Sequence, residues 1–545
     1  MLESDRLRSS QLLYGLLFVF FLLLLYNAGG WGVIETSEAR YAEISREMLR
    51  SGDWLHPRLL GIQHFHKPPV TYMLSAFGME LFGVNPFGAR FFLQVSLVLQ
   101  ALLVYLIGQL LFRNSKQALI AVVVYITMPA VLISARNLTT DSFLTTFELA
   151  AIWAWLRYKS RYAAGWLYLF YLLLAIAFLT KGPVGLIFPA LVAIGYQKPA
   201  VSGYTKGRNA WHHLPAVLLF LLVGASWYGY LIWEDPKFFD YFFLKHTVQR
   251  YANPEAFGRS KPWWFYIVLA PALSLPWAAI LAVQYKKLRE PSLPQKRLFI
   301  LWLLLPLVFF SFSSSKLILY ILPLFAGMAL LMAWLLTNLA PKAVKKAAAG
   351  SLVFFAVLAV ALLVAPVLPV GIRLPWAALL YPVLMLAILF LLWRSDALPL
   401  NKLLLSSLAF TLLLLPYSTH LLGNNPGMTN GSTHIANLIT ARKLQDRNIL
   451  VYDKLLPSLA FELDKQLITL HNKNNDLVRE TQFERDEAWR SLLLELGQPD
   501  DLTRVKALLE RQPVLVVRNE LPPEQAWMAR YFQHKQKVGK WVVYY

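Results

Sequence analysis

The sequence predicts a mainly α-helical, polytopic membrane protein followed by a small soluble α/β domain. Hydrophobic residues make up 57% of the 545 and charged residues only 15%, more apolar surface than a water-soluble core can bury. Runs long enough to cross a bilayer recur from about residue 11 to residue 421. Beyond about 425 they give way to short β-rich stretches alternating with amphipathic helical patterns.

The apolar runs fall near 11–30, 90–112, 117–135, 141–157, 163–181, 183–197, 212–233, 263–285, 298–313, 317–338, 348–369, 375–393 and 402–421, about thirteen helices in all. Basic residues test their order. With Arg6 and Arg8 inside, alternate connections carry Arg113 and Lys116, then Arg157, Lys159 and Arg161, then Lys198, Lys206 and Arg208. The same side next receives Lys286, Lys287, Arg289, Lys296 and Arg297, then Lys342, Lys345 and Lys346, and last Arg394 and Lys402. Cationic short loops on one face are what membrane insertion selects, and the odd count puts the C-terminus outside. The formal charge of +21 is then explained by loops against anionic lipid, with no call for nucleic acid as a partner. Cysteine is absent, which excludes disulfides and thiolate metal sites. The first run lacks a small-residue cleavage pattern and reads as a retained helix. The expected domains are 1–424, membrane-embedded with outer loops 31–89 and 234–262, and 425–545, soluble and also outside.

In the first outer loop, Ser37 is a good N-cap and Glu38 would lie at the positive end of a helix dipole. Ile44, Met48 and Leu49 recur at helical spacing, so one face of that helix can lie on lipid. Pro69 would begin a second surface helix over about 69–82, with Lys67 at its mouth. The second loop is aromatic and basic, with His246, Arg250 and Tyr251 among Phe238, Phe242 and Trp263, a composition suited to an interfacial belt or a lipid phosphate. In the last domain the expected strands are Ile449–Tyr452, Gln466–Thr469, Val514–Val517 and Trp541–Tyr544, with helical patterns around 433–446, 486–496, 501–511 and 523–533. It shows no glycine-rich phosphate loop, zinc-finger spacing or hydrolase elbow.

Ionisable residues at the ends of membrane helices are costly and usually serve a partner or a function. Asp141 opens one helix, and its plain reading is a carboxylate on the dipole. Lys181 sits in a tight turn, where a lysine commonly snorkels. Lys316 and Tyr320 stand one helical turn apart and would share a face. His66 and His246 could together hold a metal ion, zinc being the one imidazoles most often take. Collected at the outer face, these groups would form a cationic pocket with a few carboxylates. Nucleotide sugars are not expected there, so a transferase would need a lipid-borne donor such as a polyprenyl phosphate sugar. Cationic side chains would stabilise the departing phosphate, and a carboxylate could deprotonate a hydroxyl acceptor. Three rivals share the pattern: a lipid or solute transporter, a transferase acting on protein hydroxyls, and a catalytically silent scaffold. The transporter is disfavoured because the charges cluster at one face and no paired broken helices are visible.

The run Ser37-Glu38-Ala39-Arg40-Tyr41-Ala42-Glu43-Ile44-Ser45-Arg46-Glu47-Met48, the Lys67-Pro68 step and Thr180-Lys181-Gly182 resemble the protein-mannosyltransferase-like glycosyltransferases of the membrane-embedded C-type (GT-C) superfamily. So do His246 to Tyr251 and Lys316-Leu317-Ile318-Leu319-Tyr320-Ile321-Leu322-Pro323. Within that superfamily the nearest branch is the bacterial lipid A aminoarabinose transferases, and the resemblance covers the whole chain. It implies transfer of 4-amino-4-deoxy-L-arabinose from undecaprenyl phosphate to lipid A or another envelope glycolipid, at the periplasmic face of the inner membrane, by a monomer. It further implies Lys67 and Arg250 on the carrier phosphate and Tyr320 packed over the site. Asp141, Lys181 and Lys316 would lie in the same cavity, Arg40 and Tyr41 would contact substrate, and His66 with His246 would retain the family's metal position. The family commonly has aspartate where this chain has Ser37, which leaves Glu35 or Glu38 to supply that carboxylate beside Asp141.

Overall fold

The computed structural model describes residues 2–35, 37–161, 163–196, 210–249, 261–290, 295–369, 371–474, 477 and 479–545. Each of the thirteen apolar runs is mostly helical over its described residues, with breaks such as 26–30 and 273–276. Among the described residues seven helices are long and apolar enough to cross a membrane, or ten if each bent pair counts as one span. The expected thirteen therefore include runs that do not qualify alone. Residues 163–197 form one 32-residue apolar run, Ala164–Gly195. Thr140–Arg161 carries Asp141 and Glu148 inside its apolar stretch, and Lys296–Phe312 is 17 residues long. The bends have local causes. Pro129 opens the second half of the pair Ser115–Ile126 and Pro129–Ala135, which meet at 61°. Pro271 and Pro276 interrupt Phe265–Ala272 and Trp277–Val283, which meet at 107°.

The chain divides into two compact units, the second of which joins Leu422–Tyr545 to most of the expected first outer loop. The first comprises Met1–Tyr26, His66–Val70 and Leu93–Leu421. Its core is aliphatic and aromatic, with Phe20, Tyr125, Phe188, Trp277, Trp302 and Phe325 fully enclosed. Many polar side chains inside it bond to one another or to helix carbonyls, as a water-poor medium favours. Arg136 donates to the carbonyls of Leu24 and Leu415 at 3.3 and 2.8 Å. Gln100 donates to the Ser142 carbonyl and accepts from the Tyr125 hydroxyl, both at 2.7 Å.

The second unit comprises Asn27–Phe65, Thr71–Phe92 and Leu422–Tyr545. A hairpin joins β1 (Arg58–Leu59) to β2 (Ile62–Gln63) through Leu60 and Gly61, both left-handed at φ 50° and 75°. The main sheet contains β3 (Ile449–Tyr452), β4 (Ile468–His471), β5 (Leu493–Glu495), β6 (Val514–Arg518), β7 (Lys535–Val538) and β8 (Trp541–Tyr544), in the order β5-β4-β3-β6-β8-β7. The first four in that order run parallel, and β8 and β7 close the edge antiparallel. Ile449 and Val451 of β3 enter one apolar core while Leu450 and Tyr452 enter the other, so the strand is buried on both faces.

Three expectations are corrected here. Residues 486–496 are not helical throughout, because Leu493 and Leu494 enter the sheet as β5. A short apolar run carries no period that distinguishes strand from helix. β7, with its Lys-Gln-Lys sequence, was legible only through its pairing with β8. The helix Ser37–Ser51 does not lay its apolar face on lipid: Ile44 and Met48 are enclosed with Ile435, Ile439, Leu456 and Leu459. Glu43, Arg46 and Glu47 are buried as well, because they find partners inside the unit. Arg46 bonds both oxygens of Glu43 at 2.7 and 2.8 Å and reaches Asp464 at 3.0 Å, and Glu47 accepts the Gly61 amide at 2.9 Å.

Candidate active site

In the first unit, three residues chosen from sequence come together. Asp141, at the start of helix Thr140–Arg161, is 7% exposed and forms an ion pair with Lys181. Lys181 ends helix Ala164–Lys181, where Gly182 at φ 78° lets the chain turn without a side-chain clash. The lysine nitrogen lies 4.0 Å from the centroid of the Tyr320 ring, a cation–π contact that holds the ammonium from its other side. At the start of helix Thr140–Arg161 and along it are buried polar atoms with no hydrogen-bond partner among the described residues: Asn137 Oδ1, the hydroxyls of Thr139, Thr140 and Ser142, and both carboxylate oxygens of Glu148. Buried polar atoms are normally satisfied, so such a concentration marks a place that meets a polar guest.

Glu148 escaped the sequence reading. It lies two turns beyond Asp141 on the same helix, is fully buried, and is within electrostatic reach of both Lys181 and Asp141. Its signal was available: an acid inside an apolar run is expensive and usually functional.

Lys316 does not share a helical face with Tyr320. The Ser313-Ser314-Ser315 run and the Pro323 opening of helix Leu322–Thr337 leave Lys316 outside helical structure. Its ammonium, 4% exposed, instead donates to the carbonyls of Ser313 and Lys261 at 2.5 and 2.9 Å. His66 stacks on Tyr241 with ring centroids 6.5 Å apart, and Lys67 follows it half-buried. Arg250 and the side chain of His246 lie outside the described residues.

In the second unit, Glu38 is wholly enclosed. Arg90 donates to its two oxygens, and the Ile34 amide donates to one of them at 2.7 Å. Arg90 also bonds the carbonyls of Ala28, Trp31 and Gly32 at 2.8 to 3.0 Å and lies 4.3 Å over the Trp31 ring. Arg90 was visible in the sequence only as the first residue of an apolar run. Tyr41 packs on Tyr72 at 5.8 Å. Glu35 and Arg40 line a small cavity with Lys454. Burial raises the Glu35 carboxyl to about 7, against the lowering effect of its bond from the Ser458 amide.

Residues 66–233 match the family described as dolichyl-phosphate-mannose-protein mannosyltransferase, a segment that includes His66, Lys67, Asp141, Glu148 and Lys181. Over nearly its full length the chain superposes on ArnT from Cupriavidus metallidurans bound to undecaprenyl phosphate, with a TM-score of 0.77, 22% identity and 98% of each chain covered. The chain shares the fold of that structure. In sequence the chain is 33% identical over 328 residues to the undecaprenyl phosphate-alpha-4-amino-4-deoxy-L-arabinose arabinosyl transferase 2 of Pseudomonas fluorescens (strain Pf0-1). It is 37% identical over 341 residues to the corresponding transferase 1 of Sodalis glossinidius (strain morsitans). The matches span 58% and 59% of those relatives' own lengths.

Proposed function

We propose that this protein is a GT-C glycosyltransferase that takes a sugar from undecaprenyl phosphate and delivers it to lipid A or another envelope glycolipid. The sugar is 4-amino-4-deoxy-L-arabinose, and the reaction runs at the periplasmic face of the bacterial inner membrane. The names of the sequence relatives support the donor and the sugar. The observation that carries the reading is the buried Asp141–Lys181 pair beside the Tyr320 ring, with Asp141 on a helix whose polar atoms include several with no partner among the described residues.

In this reading the bond between the anomeric carbon and the carrier phosphate breaks, and its electron pair stays on the phosphate oxygen. Lys181, held by Asp141 and the Tyr320 ring, presents a fixed positive charge to that developing anion in a poorly hydrated place, where it is worth most. Lys67 and Arg250 complete the phosphate contacts by resemblance. The acceptor oxygen bonds to the anomeric carbon. If the acceptor is a hydroxyl, its proton passes to Asp141 or Glu148; a phosphate acceptor needs no base. Glu38 takes no part in this scheme, because both of its oxygens are committed to Arg90.

The test is mass spectrometry of envelope lipids from cells with and without the protein, joined to transfer by the purified chain from an undecaprenyl-phosphate donor. A lipid A species heavier by one aminopentose, appearing only with the protein, is the expected result. Unmodified lipid A with the sugar found on serine or threonine would overturn the acceptor assignment. No donor consumption at all would overturn the enzyme.

A further inference from the structure

The hairpin of the second unit leads directly into the Lys67-Pro68 step. Among the described residues β2 pairs with β1 alone, so the outer edge of β2 meets no strand. Backbone amides left bare on such an edge inside the protein would be costly. Gln63 and Phe65 are both buried, and residues two apart in an extended chain turn the same way. Carboxylates stand in for the missing strand: Glu484 Oε1 accepts the Gln63 amide at 2.6 Å, and Glu480 Oε2 accepts the Phe65 amide at 3.0 Å. The His64 amide between them turns the other way and donates to the Pro57 carbonyl at 2.7 Å.

Both carboxylates come from one short segment. The single turn Thr481–Phe483 separates Glu480 from Glu484, and both side chains are buried. Phe483 of the same turn meets the Phe65 ring edge-on, with centroids 5.3 Å apart. Arg58 donates to Glu484 Oε2 at 3.2 Å and Arg479 donates to the Leu59 carbonyl, so both strands of the hairpin are tied to residues 479–484. Bonds to an ionised acceptor are stronger than neutral ones. Past Phe65 the chain has little freedom left. His66 alone separates the last tied amide from Lys67, and Pro68 disfavours helical backbone at the residue before it.

We propose that Glu480 and Glu484 are positioning residues for Lys67, fixing the extended backbone just ahead of it so that its ammonium is presented to the carrier phosphate in one orientation. The inference rests on the reading of Lys67 as a phosphate contact given above. Neither carboxylate touches substrate; both act through the backbone of residues 63–65. With that backbone loosened, part of the energy of phosphate binding goes into ordering the chain, so donor binding weakens more than the bond-breaking step.

The experiment measures initial rates of transfer by the full chain in detergent, from an undecaprenyl-phosphate aminoarabinose donor, at matched folded protein. Glu480→Ala should raise the donor KM about 10-fold while kcat changes less than about 3-fold. Glu480→Gln keeps a carbonyl for the Phe65 amide and should recover most of that loss. Glu484→Ala, which frees the Gln63 amide, is the second variant and should split KM from kcat in the same sense, even where Glu480→Ala folds poorly. Each change is then combined with Lys67→Ala. Once the ammonium is gone, removing Glu480 or Glu484 should lower transfer no further. Full additivity with Lys67→Ala, or a wild-type donor KM in the folded single variants, would overturn the proposal. Wild-type transfer by Lys67→Ala itself would overturn the phosphate-contact reading and this proposal with it. An impaired Lys67→Ala beside unimpaired Glu480→Ala and Glu484→Ala would leave that reading standing and remove the positioning role alone.

Discussion

Arg90 closes on Glu38 with both arms of its guanidinium, at 2.7 and 2.9 Å, and neither residue has any solvent exposure. The pair ties the start of helix Ser37–Ser51 to a residue 52 positions away, and three backbone carbonyls saturate the remaining nitrogens. Breaking such a buried pair from one side leaves an uncompensated charge. Glu38→Ala and Arg90→Ala should each cost about 3–5 kcal/mol and lower the yield of folded protein. The double variant should cost less than the sum. Thermal melting in detergent with a double-mutant cycle measures this coupling. A Glu38→Ala protein that melts like wild type yet fails in transfer would return Glu38 to the chemistry.

The ion pair of the first unit makes the opposite prediction. Lys181→Ala should lower the transfer rate about 10²–10³-fold at matched folded protein, as loss of one fixed donor to a developing anion does. Tyr320→Phe keeps the ring face over the ammonium and should stay near wild type, whereas Tyr320→Ala should not. Lys67→Ala should also cut transfer strongly while the chain still folds and inserts. Initial rates at matched folded protein decide all three, and equal activity would remove the residue concerned from the site.

Stability of the second unit should fall as pH rises. Burial raises Glu35 to about 7, and burial together with the neighbouring Glu43 raises Glu47 to about 8, from an ordinary 4.5. Between 4.5 and those values the folded chain holds protons that the unfolded chain has released, so unfolding becomes easier with each step upward. The stabilisation is complete below about 4.5 and gone above about 8, with Glu35 contributing on the order of 3–4 kcal/mol. Melting temperatures across this window should decline for wild type and flatten in a Glu35→Gln, Glu47→Gln protein.

Ile44 provides a test of what covers the first amphipathic helix. A residue lying on lipid tolerates truncation, but one enclosed with Ile435, Ile439 and Leu459 leaves a hole. Ile44→Ala should therefore cost about 2–5 kcal/mol. Chemical denaturation followed by a probe in the second unit would show it.

The thirteen apolar runs, the helix after Ser37 and strands β3, β6 and β8 could be read without coordinates. Hydrophobic period and length are local properties, and each of these segments declares its own. Asp141, Lys181 and Tyr320 were also legible, because a charge or hydroxyl at the end of a membrane helix is conspicuous against apolar neighbours. β5 and β7 were not: the first is too short to show a period, and the second has few apolar residues to alternate.

Tertiary structure alone settled what each face meets. Period showed that Ile44 and Met48 share a stripe, but the stripe is covered by protein from residues 435 to 459. Acidic residues near the first helix looked equivalent in sequence. The fold gave Glu38 to Arg90, gave Glu47 to an amide, and left one oxygen of Glu35 beside a cavity. Likewise Asp141 and Lys181 find each other across 40 residues of chain. The amino-acid order fixes which residues are charged or greasy and how often they recur. Which distant carboxylate a cation neutralises depends on how the segments pack, and burial makes that choice too costly to leave unmade.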